Sequence, residues 1–372
     1  MKQGQTLLEL GRELERQRAV RKDFIADTHS LEVETQDNKT LLSVCLDQGM
    51  EQFYLNDLAH QQIATRLQIP FRYYQKMRDE YPSLLDENIN CWFGKTPERR
   101  MIRTLDNSVR AFLSDRYRRL DNLELCEAVL PILQEMKGAE LASCAVTDTH
   151  LYIKLINKRL KAEVGVGDVV QAGLVISNSE VGLGSLKVEP LVYRLACKNG
   201  MIVKDYAQKR YHVGRQVDSD DTAYEIYSNA TLEADDRAFF LKVQDTVRCS
   251  VDKAKFMLTV DRLRDAKADF TGSDPVKTVE VLADKYVLNQ NERGGILRHF
   301  IMNGDSSRYG LIQAVTRASQ DIEDYGRATA LERLGGEILA VSAKKMLTVP
   351  KYSINEENMK NVTPFMKRLE MA

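Results

Sequence analysis

Leu151-Tyr-Ile-Lys-Leu-Ile156 places Leu151, Ile153 and Leu155 in alternation with Tyr152, Lys154 and Ile156, the period of a β-strand. Val169-Val-Gln-Ala-Gly-Leu-Val-Ile176 and residues 186–195 continue in the same style. Upstream, Val109, Ala111 and Leu113 alternate with Arg110, Phe112 and Ser114, which predicts that Arg110 and Phe112 share one strand face. Gly165, Gly167, Gly173, Gly182 and Gly184 fall among these strands, where glycine suits turns and bulges. Residues 122–137 form the helix candidate of this zone, and Pro131 inside it predicts a kink or an early end.

The pattern changes on both sides of this zone. Leu7, Leu10 and Leu14 repeat at helical spacing, and Leu31 to Val33 and Leu42 to Leu46 bracket the turn-like Asp37-Asn38-Lys39 as a hairpin. Asn56 reads as the N-cap of a helix carrying Ala59, Ile63 and Leu67 and stopping before Pro70. Asp274-Pro275 is a second start signal, followed by Val276, Val279, Leu282, Ala283, Tyr286 and Val287 on one face. Leu311, Ile312, Val315 and Ala318 trace a further face, as do Leu331, Leu334, Ile338 and Val341. The fold class is α+β, with a central, mainly antiparallel strand-rich core flanked by helical N-terminal and C-terminal regions. The expected divisions are 1–95, mostly helical with a short hairpin; 96–216, the strand-rich core; and 217–372, helical.

Composition narrows the classes of function. The 372 residues suffice for about two to three domains, and 43% hydrophobic with 29% charged residues excludes wholesale disorder. Apolar stretches such as residues 128–133 fall far short of the roughly 18 needed to cross a bilayer, so no membrane partner is expected. The N-terminus has no apolar signal region, and the six scattered cysteines include no CxxC, so the expectation is a cytoplasmic protein without disulfides. No Walker A loop, dinucleotide fingerprint, HExxH or GxSxG is present, so no cofactor, metal or catalytic residue is assigned. Trp92 and Phe93 read as core, and Met346 and Met359 as packing residues.

The formal net charge of −1 conceals segregation. Residues 99–119 carry seven arginines against Asp106 and Asp115, a local +5, and residues 187–215 reach +5 again. Residues 218–236 hold seven acids and no base. Tyr117, Tyr193, Tyr206, Tyr211 and His212 are interleaved with the bases. Cations for phosphates and rings for stacking are what a single-strand binding surface requires. The competing reading is that these arginines pair with the neighbouring acids and touch no ligand. The helices at 56–67 and 71–80 can also be read as a helix-turn-helix, although Phe71-Arg-Tyr73-Tyr74 looks like a packing edge.

Several phrases resemble one family. Arg110-Ala-Phe-Leu-Ser-Asp-Arg-Tyr-Arg-Arg-Leu-Asp-Asn122 resembles the "R-A-x-L-S-D-R-Y" signature of phage/plasmid-like proteins that share domain of unknown function 932. Asn178-Ser-Glu-Val-Gly182, Cys197-Lys-Asn-Gly-Met201 and Tyr211-His-Val-Gly-Arg215 follow in that family's order. Tyr309-Gly-Leu-Ile-Gln-Ala-Val-Thr316 is similar to its "W-G-x-x-N-A-V-T" segment, with Tyr309 and Gln313 as departures. The resemblance runs from about Asn56 to Ala340 and implies a mobile-element setting, without implying an activity. Architecture and setting also look broadly like those of single-strand annealing proteins.

The leading expectation is therefore a non-enzymatic nucleic-acid-binding protein, for single-stranded DNA in the first instance, with strand annealing as its furthest extension. Arg110, Arg116, Arg118, Arg119, Lys198, Lys209, Arg210 and Arg215 would contact phosphate, and Phe112, Tyr117, Tyr211 and His212 would stack or position bases. The alternative is a homo-oligomeric assembly protein, for example one acting against host defence, in which basic and acidic zones of neighbouring subunits meet. A third reading, a metal-dependent nuclease, would require Asp115, Glu180 and His212 to converge.

Overall fold

Alternating apolar residues and short turns build two sheets, and helices cover what the sheets leave open. The computed structural model describes the chain except residues 38, 47–48, 116, 118–119, 204–228, 251 and 347–372. After helix α1 (Leu7–Val20) come strands β1 (Lys22–Asp27), β2 (Leu31–Gln36), β3 (Lys39–Leu46) and β4 (Gly49–Leu55). Helices α2 (Asp57–Arg66), α3 (Phe71–Glu80) and α4 (Pro82–Lys95) follow, then β5 (Arg99–Leu105) and β6 (Ser108–Ser114). These six strands form one sheet in the order β1-β5-β6-β4-β3-β2, with β4 and β6 paired in parallel and the other neighbours antiparallel. Leu42, Val44, Phe53, Ile63, Ile89, Phe93 and Phe112 share the core on its helix-covered face.

Helix α5 (Asn122–Glu135) leads into the second sheet, β7 (Ala139–Val146), β8 (Leu151–Gly165), β9 (Asp168–Asn178), β10 (Lys187–Arg194) and β11 (Asn199–Ile202). Its order, β11-β10-β9-β8-β7, is an antiparallel meander. Gly167, at φ +77°, supplies the left-handed residue that closes the β8–β9 turn. Helices α6 (Asn229–Ser250), α7 (Lys253–Ala268), α8 (Pro275–Tyr286), α9 (Gln290–Asn303), α10 (Arg308–Ala318), α11 (Tyr325–Ala340) and α12 (Ala343–Met346) complete the order. One face of the second sheet packs on α1, α5 and α6 at one end and on α7 and α10 at the other. Helix α11 lies on the opposite face.

The α+β class, the central strands, the hairpin at 31–46 and the caps at Asn56 and Asp274 are all present. Four expectations are corrected. The boundary at 95/96 runs through the first sheet, because β1 to β4 come from before it and β5 and β6 from after it. Helix α5 continues past Pro131 to Glu135, with the exposed proline removing a single donor from the helix ladder. Trp92 is 45% exposed while its neighbour Phe93 is buried, because the two point to different sides of α4. Val287 is not on the apolar face of α8; it caps the helix in the left-handed region and is solvent-exposed.

Close approach of α11 to β11 depends on glycine. A Cβ at Gly336 would lie 2.0 Å from the Ile202 carbonyl oxygen. Helix propensity alone favours alanine there by about 1 kcal/mol. The packing predicts the opposite sign: Gly336→Ala lowers stability by about 1–3 kcal/mol in urea unfolding.

Candidate nucleic-acid interface at the junction of the sheets

A register shift at Arg103/Thr104 decides where the side chains of β6 go. At a β-bulge two residues oppose one, and strict alternation is lost. Val109 and Phe112 therefore join the same core, whereas Ala111 and Leu113 pack with Met101 and Val181. Phe112 is 1% exposed and stacks on Phe93 with centroids 5.8 Å apart. It offers no face to a base, which corrects the expectation from alternation. Arg110 separates from it and places Nη1 2.7 Å from Glu180 Oε2. Both side chains of that pair are buried, and Arg110 Nε and Nη2 have no hydrogen-bond partner. Arg110 is a brace between the sheets, not a surface cation for phosphate.

Beside it lies a fully buried arginine. Arg103 donates through Nε and Nη2 to Asp23 at 3.0 and 2.9 Å, through Nη2 to Asp121 at 2.6 Å, and through Nη1 to the Glu180 carbonyl at 2.9 Å. Arg21 reaches the other Asp121 oxygen at 2.6 Å. Burial opposes the charge on Asp121, but Arg103 and Arg21 outweigh it and hold the carboxyl below the ordinary aspartate range. Glu180 Oε1 accepts the Asn122 backbone N–H at 2.5 Å, at the start of α5. Asn178 donates to the Leu120 carbonyl and to Asn122 Oδ1, both at 2.9 Å. The Tyr117 hydroxyl donates to the Ser179 carbonyl at 3.0 Å. Gln62 of α2 donates to the Val181 carbonyl at 2.8 Å and accepts from the Phe112 N–H at 2.7 Å. The phrases 110–122 and 178–182, distant in sequence, thus bind one another across the sheets.

A second meeting joins the phrase at 197–201 to α10. Asn199 Nδ2 donates to Gln313 Oε1 at 3.2 Å and to Thr316 Oγ1 at 2.6 Å. The Tyr309 hydroxyl donates to Asp168 at 2.5 Å, and Arg194 holds the other Asp168 oxygen. The two positions that depart from the resembled segment, Tyr309 and Gln313, both make polar links to the sheet.

The remaining candidates divide clearly. Lys198 is exposed in a left-handed turn before β11. Tyr117 is a positioning residue through its link to Ser179, and burial pushes its hydroxyl pKa up. Arg116, Arg118, Arg119, Lys209, Arg210, Tyr211, His212 and Arg215 lie outside the described residues. Of the three residues a nuclease centre would need, Glu180 is committed to Arg110 and Asn122, Asp115 accepts from Ser114 Oγ at 3.4 Å, and His212 is outside the described residues. Among the described residues no group of three His, Cys, Asp or Glu is placed to hold a metal, and no helix is long and apolar enough to cross a membrane. Sequence reasoning missed Arg103, Asp23 and Asp121, whose only signal was a charged residue inside an apolar strand or at a helix start.

A family model covers the stretch that begins at Arg110, spanning residues 110–253 and described as a domain of unknown function, DUF932. The match covers 144 of the 372 residues, less than half of the chain. The DUF932 match opens on the bulged end of β6, contains the whole second sheet, and ends where α7 starts. The phrase at 309–316 lies beyond the DUF932 stretch. No curated protein and no solved structure matches the chain.

Proposed function

We propose that the chain is a non-enzymatic nucleic-acid-binding protein of a phage, plasmid or integrated element. It binds single-stranded DNA through the basic connection between β6 and α5, and strand annealing is the activity this binding would serve. The observation that supports the reading is how that connection is anchored. Arg110, Tyr117, Leu120 and Asp121 are each tied to the second sheet or to the buried ion-pair network. Arg116, Arg118 and Arg119 fall between these anchors in sequence, so cations of one sign are carried on a connection tied at several points. Anchoring lowers the ordering entropy that a phosphate contact must overcome. Lys198, exposed on the second basic segment, lies at the opposite end of β9 from the connection and forms no part of it.

A phosphate contact on single-stranded DNA contributes about 0.7 to the slope of log affinity against log salt. Replacing Arg118 and Arg119 together with alanine is expected to flatten the slope for a single-stranded oligonucleotide by about 1.4. A folded sample that binds no oligonucleotide at low salt would remove the reading. Mass measurement by size exclusion, with and without oligonucleotide, then reports whether binding proceeds on an oligomer.

A further inference from the structure

A cavity of about 580 Å³ opens where the ends of β3, β4 and β6 meet α2 and α3, on the first sheet and away from the junction. Its lining includes Lys39, Tyr54, Asp57, His60, Arg78 and Ser108. Tyr54 is 40% exposed, so part of its ring is open to a ligand. Lys39 Nζ lies 5.4 Å from that ring's centroid and, among the described residues, has no carboxylate partner. Arg78, by contrast, is paired with Asp57 at 2.9 Å. Asp79 also lines the cavity, 3.7 Å from Arg78, so both carboxylates of the lining are engaged by Arg78. Lys39 is the lining cation that, among the described residues, has no ion-pair partner. Helix α2 starts at its edge, with Leu55 and Asp57 in the lining, and the positive end of the helix dipole adds to the field there.

His60 contributes a neutral donor. Its Nδ1 lies 2.8 Å from the Tyr74 hydroxyl, which is fully buried. Burial raises the Tyr74 pKa, so the phenol keeps its proton and needs an acceptor. Nδ1 is the acceptor the fold supplies, which places the imidazole proton on Nε2. Burial, ahead of the nearby Arg78 charge, also lowers the His60 pKa to about 4, so the ring stays neutral near pH 7. An open aromatic ring, the Lys39 ammonium, an N–H donor and a helix start then line one space, beside the carboxylates of Asp57 and Asp79 that Arg78 engages.

We propose that this cavity binds a nucleoside phosphate, its base packed on Tyr54 and its phosphate held by Lys39 and His60 Nε2–H. The assignment goes beyond the reading of residues 110–122 and uses none of them. The same chemistry is presented by a free mononucleotide and by the phosphorylated end of a strand, and the experiment separates them. Calorimetric titration of the full chain uses adenosine monophosphate, adenosine, inorganic phosphate and a 5′-phosphorylated oligonucleotide as probes. One of the two phosphorylated nucleosides is expected to bind at least about tenfold tighter than adenosine or phosphate alone, the scale of one base–aromatic stack. Lys39→Ala and Tyr54→Ala should each weaken that binding about tenfold while leaving the urea midpoint in place. The Arg118→Ala, Arg119→Ala protein should keep its affinity for adenosine monophosphate, so that failure here and failure of the junction reading are told apart. Tightest binding by the mononucleotide identifies a free ligand, and by the oligonucleotide a strand end. Binding of both that is indifferent to Lys39→Ala and Tyr54→Ala, or no binding of either, overturns the proposal.

Discussion

Replacing Arg103 with alanine is expected to lower folding stability by about 3–5 kcal/mol, the cost of removing one member of a buried ion-pair network. The guanidinium is fully buried and serves Asp23, Asp121 and the Glu180 carbonyl at once. Its removal leaves Asp23 with its carboxylate 6% exposed and Asp121 with Arg21 alone. Asp23 belongs to β1, Asp121 precedes α5 and Glu180 follows β9, so the loss falls on the joint between the sheets. Urea unfolding of Arg103→Ala measures it, and a loss under about 1 kcal/mol would mean that this network does not hold the sheets together. Arg103→Lys should recover only part of the loss, because an ammonium cannot reproduce the fork that spans two carboxylates and a carbonyl.

A comparable loss is expected at the far face of the second sheet. Lys154 of β8 and Glu332 of α11 are both 0% exposed and lie 2.8 Å apart. Lys154 Nζ also donates to Thr329 at 2.8 Å and sits 4.5 Å from the Tyr325 ring centroid. Burial lowers the Lys154 pKa, and Glu332 opposes that shift. Lys154→Met strands the Glu332 carboxylate, whose Oε1 already lacks a hydrogen-bond partner. The single variant should lose about 3–5 kcal/mol in urea unfolding, and adding Glu332→Leu should restore most of it, because an apolar pair of similar volume can replace a buried ion pair at little cost. Equal losses in the single and double variants would show that packing, not charge, holds α11 to the sheet.

Lys154 also shows how far the sequence could be read. Its place between Ile153 and Leu155 in an alternating run was visible as a strand, because period two is a local signal. What covers the lysine face was not visible, since α11 arrives from a distant part of the chain and carries the matching acid. The strand at 108–114 was equally legible, yet the bulge opposite Arg103 depends on the pairing partner and turned Arg110 and Phe112 in different directions. Asn56 and Asp274 were readable as caps because a cap is set by the residues next to it. The parallel contact between β4 and β6, which joins the segments before and after residue 95 into one sheet, leaves no local trace. Of the junction, the phrases at 110–122 and 178–182 stood out individually, and their mutual binding through Arg110 and Glu180 came only with the fold.

In the proposed function, residues 110–122 divide between two tasks: Arg110 braces the sheets, and Arg116, Arg118 and Arg119 would meet phosphate. The most direct test is the salt dependence of single-stranded oligonucleotide affinity in three proteins: the parent chain, Arg110→Met, and the triple alanine variant at 116, 118 and 119. The account predicts that Arg110→Met keeps the parent slope while losing stability. The triple variant should keep its stability and lose about 2 from the slope, at about 0.7 per phosphate. A slope that falls with Arg110→Met and not with the triple variant, or a folded parent chain that does not bind, would contradict it.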